Sequence, residues 1–126
     1  MARRKKINLT KGEEEVMLYL WQLGSGSISQ ILELWPKPKP KYTTVATFMK
    51  LLEGKRCVAH SPLGQKYSFR PLIKKAHYAD IVAERILNNF FDGSAVNLIV
   101  QLAQDNKLSP SDREEIIEIL SSTEKQ

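Results

Sequence analysis

The apolar positions of this chain repeat with a helical period three times and then switch to the period of a strand. Val16, Met17, Leu20 and Trp21 share one side of a helix that Thr10 and Glu13 open as a capping box and Gly24 closes. Ser27 and Gln30 form a second capping box, Ile28, Ile31, Leu32 and Trp35 give the next helix its apolar face, and Pro36 ends it. Val45, Phe48, Met49 and Leu52 then stand at i, i+3, i+4 and i+7 of a third helix that closes at Gly54. Its other side carries Thr43, Thr44, Thr47 and Lys50: short hydroxyls, one positive charge and no acid. After Gly54 the alternation is two-residue. Cys57-Val58-Ala59-His60-Ser61 reads as a strand, Lys66-Tyr67-Ser68-Phe69-Arg70 as its antiparallel partner, and Pro62-Leu63-Gly64-Gln65 as the turn between them. Three helices and a hairpin, with the third helix polar on its outer face, predict the winged-helix variant of helix-turn-helix.

From about Leu72 the chain reads as helical again. Ala76, Ile81, Val82, Ile86, Leu87, Phe90 and Phe91 belong to a long helix that runs to Asp92-Gly93. Ser94 starts a second helix, with Val96, Leu98, Ile99 and Leu102 apolar, and Leu108-Ser109-Pro110-Ser111-Asp112 is a strong start signal for a last one carrying Ile116, Ile117 and Leu120. Three helices in roughly fifty residues bury little surface alone. Ile86, Leu87, Phe90, Phe91, Ile99 and Leu102, with Ile116 and Leu120 of the last helix, are therefore assigned to a two-fold dimer, with packing back on the chain's own front half as the alternative. The expected architecture is mostly α: a winged helix in residues 1–72, then a three-helix dimerisation region in residues 73–126.

Composition narrows the class. With 42% hydrophobic and 26% charged residues in 126, the chain reads as a soluble globular protein. Met1-Ala2-Arg3-Arg4-Lys5-Lys6 has no apolar run behind it, so it is not a signal peptide, and no segment approaches membrane-spanning length. A cytoplasmic protein without membrane insertion is expected. Cys57 is alone, which excludes an internal disulfide and a cysteine metal cage. The charge is divided: residues 1–75 hold 15 Lys and Arg against 5 Glu, a net of +10, whereas residues 76–126 hold 4 against 9 acids, a net of −5. That split points to a polyanion-binding front half and a back half with another task.

The basic stretch Pro36-Lys37-Pro38-Lys39-Pro40-Lys41-Tyr42 leads directly into the third helix. A hydroxyl-bearing helix face with lysines at its N-terminal end suits a DNA major groove, since Ser and Thr reach phosphates or base edges and lysines add phosphate charge. The candidate DNA-binding residues are Lys37, Lys39, Lys41, Tyr42 and Thr43, then Thr44, Thr47 and Lys50, and from the hairpin Gln65, Lys66 and Arg70. Arg3-Arg4-Lys5-Lys6 reads as an arm able to reach phosphates or a minor groove. Taken by itself the helix face is also what an ordinary core helix shows to solvent; the charge split and the hairpin favour DNA. A winged-helix module that binds an acidic protein partner is the alternative from another class. Enzyme chemistry has little to rest on: His60 and His77 lie in different surroundings, and no Gly-rich phosphate loop, HExxH or recognisable nucleophile is present. No cofactor and no metal are expected.

Leu9-Thr10 with Glu14, Val16, Met17 and Trp21, then Tyr42-Thr43-Thr44-Val45-Ala46-Thr47-Phe48 and Leu51-Leu52-Glu53, resemble the penicillinase repressor family (the BlaI/MecI type). Tyr67-Ser68-Phe69-Arg70-Pro71-Leu72, the Phe90-Phe91-Asp92-Gly93-Ser94 turn and the Leu108-Ser109 helix start extend the resemblance from about Ile7 to Leu120. It implies a homodimeric repressor of transcription on a dyad-symmetric operator, often controlling β-lactamase genes and its own operon. It also implies a membrane metalloprotease sensor whose signal leads to cleavage of the repressor in its dimerisation region. Aligned from Leu108-Ser109, the family's Asn-Phe cleavage pair falls on Gln101-Leu102, which makes these two the candidate cleavage region; an Asn-Phe pair occurs one element earlier, at Asn89-Phe90. The copper-responsive branch of the family carries a C-terminal cysteine motif that Cys57 alone cannot supply.

Overall fold

Each of the first two helices begins where a side chain takes up a backbone N–H that the helix cannot satisfy. In the computed structural model, which describes residues 7–124, α1 spans Lys11–Leu23. The Thr10 hydroxyl accepts from the Glu13 N–H at 3.3 Å and the Glu13 carboxylate accepts from the Thr10 N–H at 2.8 Å, the predicted capping box. Gly24, at φ +83°, ends the helix in a conformation that favours glycine. α2, Ile28–Leu34, is capped in the same way by Ser27 and Gln30, and α3 spans Tyr42–Gly54.

The hairpin is tighter than the sequence pattern predicts. β1 covers Val58–Leu63 and β2 Lys66–Pro71, antiparallel with Leu63 opposite Lys66 and Pro62 opposite Tyr67. Pro62 and Leu63, expected in the turn, continue the strand, and Gly64-Gln65 alone make the reversal. Gly64 at φ +63° fits the left-handed geometry that two-residue hairpin turns require. Pro62 is tolerated because a two-stranded sheet is all edge. Cys57, expected to begin the strand, instead bridges elements: its N–H donates to Leu52 O at 2.9 Å and its carbonyl accepts from the Leu72 N–H at 2.8 Å. A further pairing was not foreseen. Gly26 and Phe69 exchange both backbone hydrogen bonds, at 2.9 and 2.8 Å, and fasten the hairpin to the α1–α2 connection.

Val16, Met17, Leu20, Ile31, Val45, Met49 and Leu52 form the centre of the core, all essentially without solvent contact. Each contributes about 1.5–3 kcal/mol by burial. One charge lies among them. Glu13 is 1% exposed, and the Lys55 ammonium reaches its carboxylate at 2.6 Å and the Asn8 carbonyl at 2.9 Å. Burial opposes the Glu13 charge, but Lys55 and the Thr10 N–H outweigh it, so its pKa lies below the ordinary glutamate value. A carboxylate whose folded pKa is depressed stabilises above its unfolded pKa, 4.5 here, and loses that contribution as pH falls through the folded value. Lys55→Met should therefore cost on the order of 1–2 kcal/mol in urea unfolding at pH 7. This is less than for a fully enclosed pair because Lys55 is itself 38% exposed. The deficit should shrink below pH 4.5. A deficit that grows in acid would contradict this account.

The start of α4, Lys75–Phe90, is held against α1. The Trp21 indole N–H donates to the Ile73 carbonyl at 2.8 Å, the Tyr78 hydroxyl donates to Glu14 at 2.7 Å, and the two rings lie 5.8 Å apart.

The chain divides into two compact units, with the boundary inside α4 between Ile81 and Val82. The second unit takes the remainder of α4, then α5, Ala95–Gln104, and α6, Pro110–Glu124. Its turns are locally determined. Asp92 and Gly93 both take positive φ, Ser94 caps α5 through the Asn97 N–H at 3.1 Å, and Ser109 and Asp112 exchange reciprocal bonds at 3.0 Å. From Val82 onward no described side chain is buried. Leu87, Phe91, Leu102 and Ile116 are half-buried, while Ile86, Ile99, Leu120 and Phe90 are exposed, Phe90 to 76%.

Candidate nucleic-acid interface

Val45, Met49 and Leu52 turn α3 so that its opposite side faces outward. Tyr42, Thr43, Thr44, Thr47 and Lys50 are all exposed along that side. No acid lies in the first turn, and no side chain caps it; the Lys41 carbonyl accepts from the N–H groups of Thr44 and Val45. The positive end of the helix dipole is thus unopposed where Lys41 and Tyr42 stand. The Thr47 hydroxyl donates to the Thr43 carbonyl at 3.0 Å. Its proton is committed, so its oxygen offers lone pairs outward, suited to an exocyclic amino group of adenine or cytosine.

Two contacts set how α3 sits on its neighbours. The Phe48 ring lies over the first turn of α1, so close that a Cβ on Gly12 would come within 2.3 Å of it. At the other end of α3, the Glu53 carboxylate pairs with Nδ1 of His60, whose ring packs against Tyr67 at 4.9 Å and Phe69 at 5.7 Å. Neither brace was legible in the sequence, because each joins residues whose partners are fixed only by the folded register. His60 is a structural link between α3 and the hairpin. His77 is an exposed residue of α4.

Lys37, Lys39 and Lys41 are exposed on the loop that joins α2 to α3. Lys39 differs from the other two in its partners: its ammonium donates to the carbonyls of Leu32 and Trp35, the latter at 2.6 Å, and approaches that of Glu33 at 3.5 Å. The sequence pattern placed it with the phosphate ligands, whereas its ammonium here serves the end of α2. On the hairpin, Lys66 and Arg70 are exposed and share one face of β2 by the two-residue period, while Gln65 stands in the turn. The loop lysines lead directly along the chain into the α3 threonines, whereas Gln65, Lys66 and Arg70 stand on the hairpin. Ile86, Leu87, Phe90, Phe91, Ile99, Leu102, Ile116 and Leu120 belong to the second unit. Gln101 is exposed and Leu102 half-buried on α5. Arg3-Arg4-Lys5-Lys6 lies outside the described residues.

Among the described residues no group of three or more His, Cys, Asp or Glu could hold a metal ion. No described helix is long and apolar enough to cross a membrane.

Three helices and a two-stranded wing, with no acid in the first turn or on the outward threonine face of the third helix, define a winged-helix protein of the DNA-binding kind. The sequence matches the model of the family described as "Penicillinase repressor" over residues 9–122. It is 25% identical over 120 residues to the penicillinase repressor of Bacillus licheniformis, covering 92% of each chain. The solution structure of the DNA-binding domain of the repressor BlaI is similar, with a TM-score of 0.51 and 26% identity over 60% of this chain and 94% of that one. The YusO protein of Bacillus subtilis shares the fold over 93% of this chain and 75% of its own, with a TM-score of 0.54 at 15% identity. The chain belongs to the penicillinase repressor family; it is a DNA-binding transcriptional repressor and not an enzyme.

Proposed function

We propose that the chain represses transcription as a homodimer on a dyad-symmetric operator in the cytoplasm. Residues 1–72 supply one DNA-binding module per protomer and residues 73–126 the dimer contacts. The observation that carries this reading is the outer face of α3: exposed threonines with no acid, preceded by lysines and by an uncapped helix start. In this arrangement α3 enters the major groove, Tyr42, Thr43, Thr44, Thr47 and Lys50 face the duplex, and Lys37 and Lys41 neutralise phosphates at its N-terminal end. Gln65, Lys66 and Arg70 of the wing reach the neighbouring backbone. Family membership supports control of β-lactamase-type or related resistance and stress genes. It likewise supports a membrane metalloprotease sensor as the inducing partner. Scission at Gln101-Leu102 would sever α6 and with it part of the apolar surface assigned to the dimer. A metallopeptidase gene beside this one would support that system.

Base contacts specify while phosphate contacts position. With an operator obtained by selection from random DNA, Thr44→Ala or Thr47→Ala should weaken operator binding about tenfold and binding to random DNA hardly at all. Lys41→Ala should weaken both by similar factors. Equal loss on both DNAs for the threonine changes would mean that α3 does not read sequence. Selection that returns no palindrome would favour the acidic-protein partner instead.

A further inference from the structure

Lys39 lies in the stretch that makes the approach to α3 basic, yet its ammonium is turned back onto α2. That helix has seven residues, no basic side chain in its last turn, and ends at Leu34, with Trp35 as its cap and Pro36 next. Its final carbonyls have few donors beyond the Trp35 N–H, which reaches that of Leu32 at 3.2 Å, and they carry the negative end of the helix dipole. Lys39 Nζ meets three of them, on Leu32, Glu33 and Trp35. Trp35 is a fixed point: it is buried and its ring packs at a tilt against Tyr19, with a centroid distance of 5.0 Å. The loop itself has few means of anchorage, because Pro36, Pro38 and Pro40 have no N–H to donate. The side chain of Lys39 thus ties the middle of this loop to the rigid end of α2. Two residues later Lys41 opens α3.

We infer that Lys39 is a positioning residue rather than a phosphate ligand: by closing the end of α2 it fixes where the N-terminus of α3 starts. The inference rests on the proposed DNA-binding role of α3. An ammonium held by carbonyls releases no counterion from DNA, and moving it to a phosphate would strip the end of α2. Lys39 therefore affects fit to the operator and leaves the salt dependence of binding alone.

The test compares Lys39→Met, Lys39→Arg and Lys41→Ala on operator and random DNA over a range of salt. Lys39→Met keeps the aliphatic stem and should weaken operator binding about tenfold, with little change on random DNA and a wild-type salt slope. Lys39→Arg, whose guanidinium can also donate to carbonyls, should restore most of the operator affinity. Lys41→Ala should instead reduce the slope by about 0.9 per protomer, roughly 1.8 for a dimer. A Lys39→Met slope reduced as in Lys41→Ala, or an unchanged operator affinity, overturns the inference. Should Lys39→Met fail to fold, the ¹⁵N spectrum of the wild-type lysine amines decides. A slowly exchanging Lys39 ammonium that stays in place when operator is added supports the latch; fast exchange in the free protein, or transfer to the DNA, overturns it. If the wild-type chain binds no DNA, the proposed function fails, and the free-protein spectrum still judges the latch.

Discussion

A Leu120→Asp chain is expected to sediment as a monomer and to lose operator binding, although every residue that faces DNA is untouched. Leu120 is 58% exposed on α6, so the substitution should not disturb the protomer that carries it. Leu102→Asp tests the same surface less cleanly, because Leu102 is half-buried within its own protomer. In the proposed two-fold dimer each substitution falls in the interface twice. Each copy forfeits about 1.5 kcal/mol of apolar burial and adds the several kcal/mol needed to desolvate an unpaired carboxylate. Together these exceed about 4 kcal/mol, a thousandfold or more in the dimer dissociation constant. Operator binding follows because joining two modules makes the second contact intramolecular, which raises affinity on the order of a hundredfold or more. Sedimentation alongside a binding assay on DNA with two half-sites, about 34–36 Å apart, reads both effects. A monomer that retains wild-type operator affinity would refute the division of labour between the halves.

Salt should act nearly as strongly as that substitution. Lys37, Lys41, Lys66 and Arg70 are four exposed cations per protomer, and a dimer that places all of them on phosphates neutralises about eight. The log–log dependence of affinity on salt should then have a slope of roughly −7. Counting Lys39 as a fifth phosphate ligand would steepen it to about −9. A slope near zero in a fluorescence-anisotropy titration would remove the electrostatic basis of binding altogether.

What could be read from the sequence was local. Thr10 with Glu13 and Ser27 with Gln30 lie one turn apart, so the residues that start α1 and α2 contain their own instructions. The exposed face of α3 was legible for the same reason, since Val45, Met49 and Leu52 fix which side turns inward. The hairpin was found but its turn misplaced, because Pro62 and Leu63 look like turn residues until cross-strand pairing with Tyr67 and Lys66 claims them. The bonds of Trp21 to Ile73 and of Tyr78 to Glu14 span 52 and 64 residues, and no periodicity reports a contact at that separation. The partners of Lys39 were hidden for a related reason. Its charge is visible in the sequence, but the carbonyls that hold it exist only once α2 has ended. In the second unit the helices and their caps were legible, whereas an apolar face alone does not name what covers it.

The paired backbone bonds between Gly26 and Phe69 bear on how fast the protein can find its site. A wing fastened at its base to the α1–α2 connection, and braced to the end of α3 through Glu53 and His60, arrives at DNA already built. If the wing meets DNA as proposed, little ordering remains to be done in the encounter, and association should be limited by diffusion and charge steering rather than by a slow rearrangement. Differences in affinity among operators then arise chiefly in how long the complex lasts.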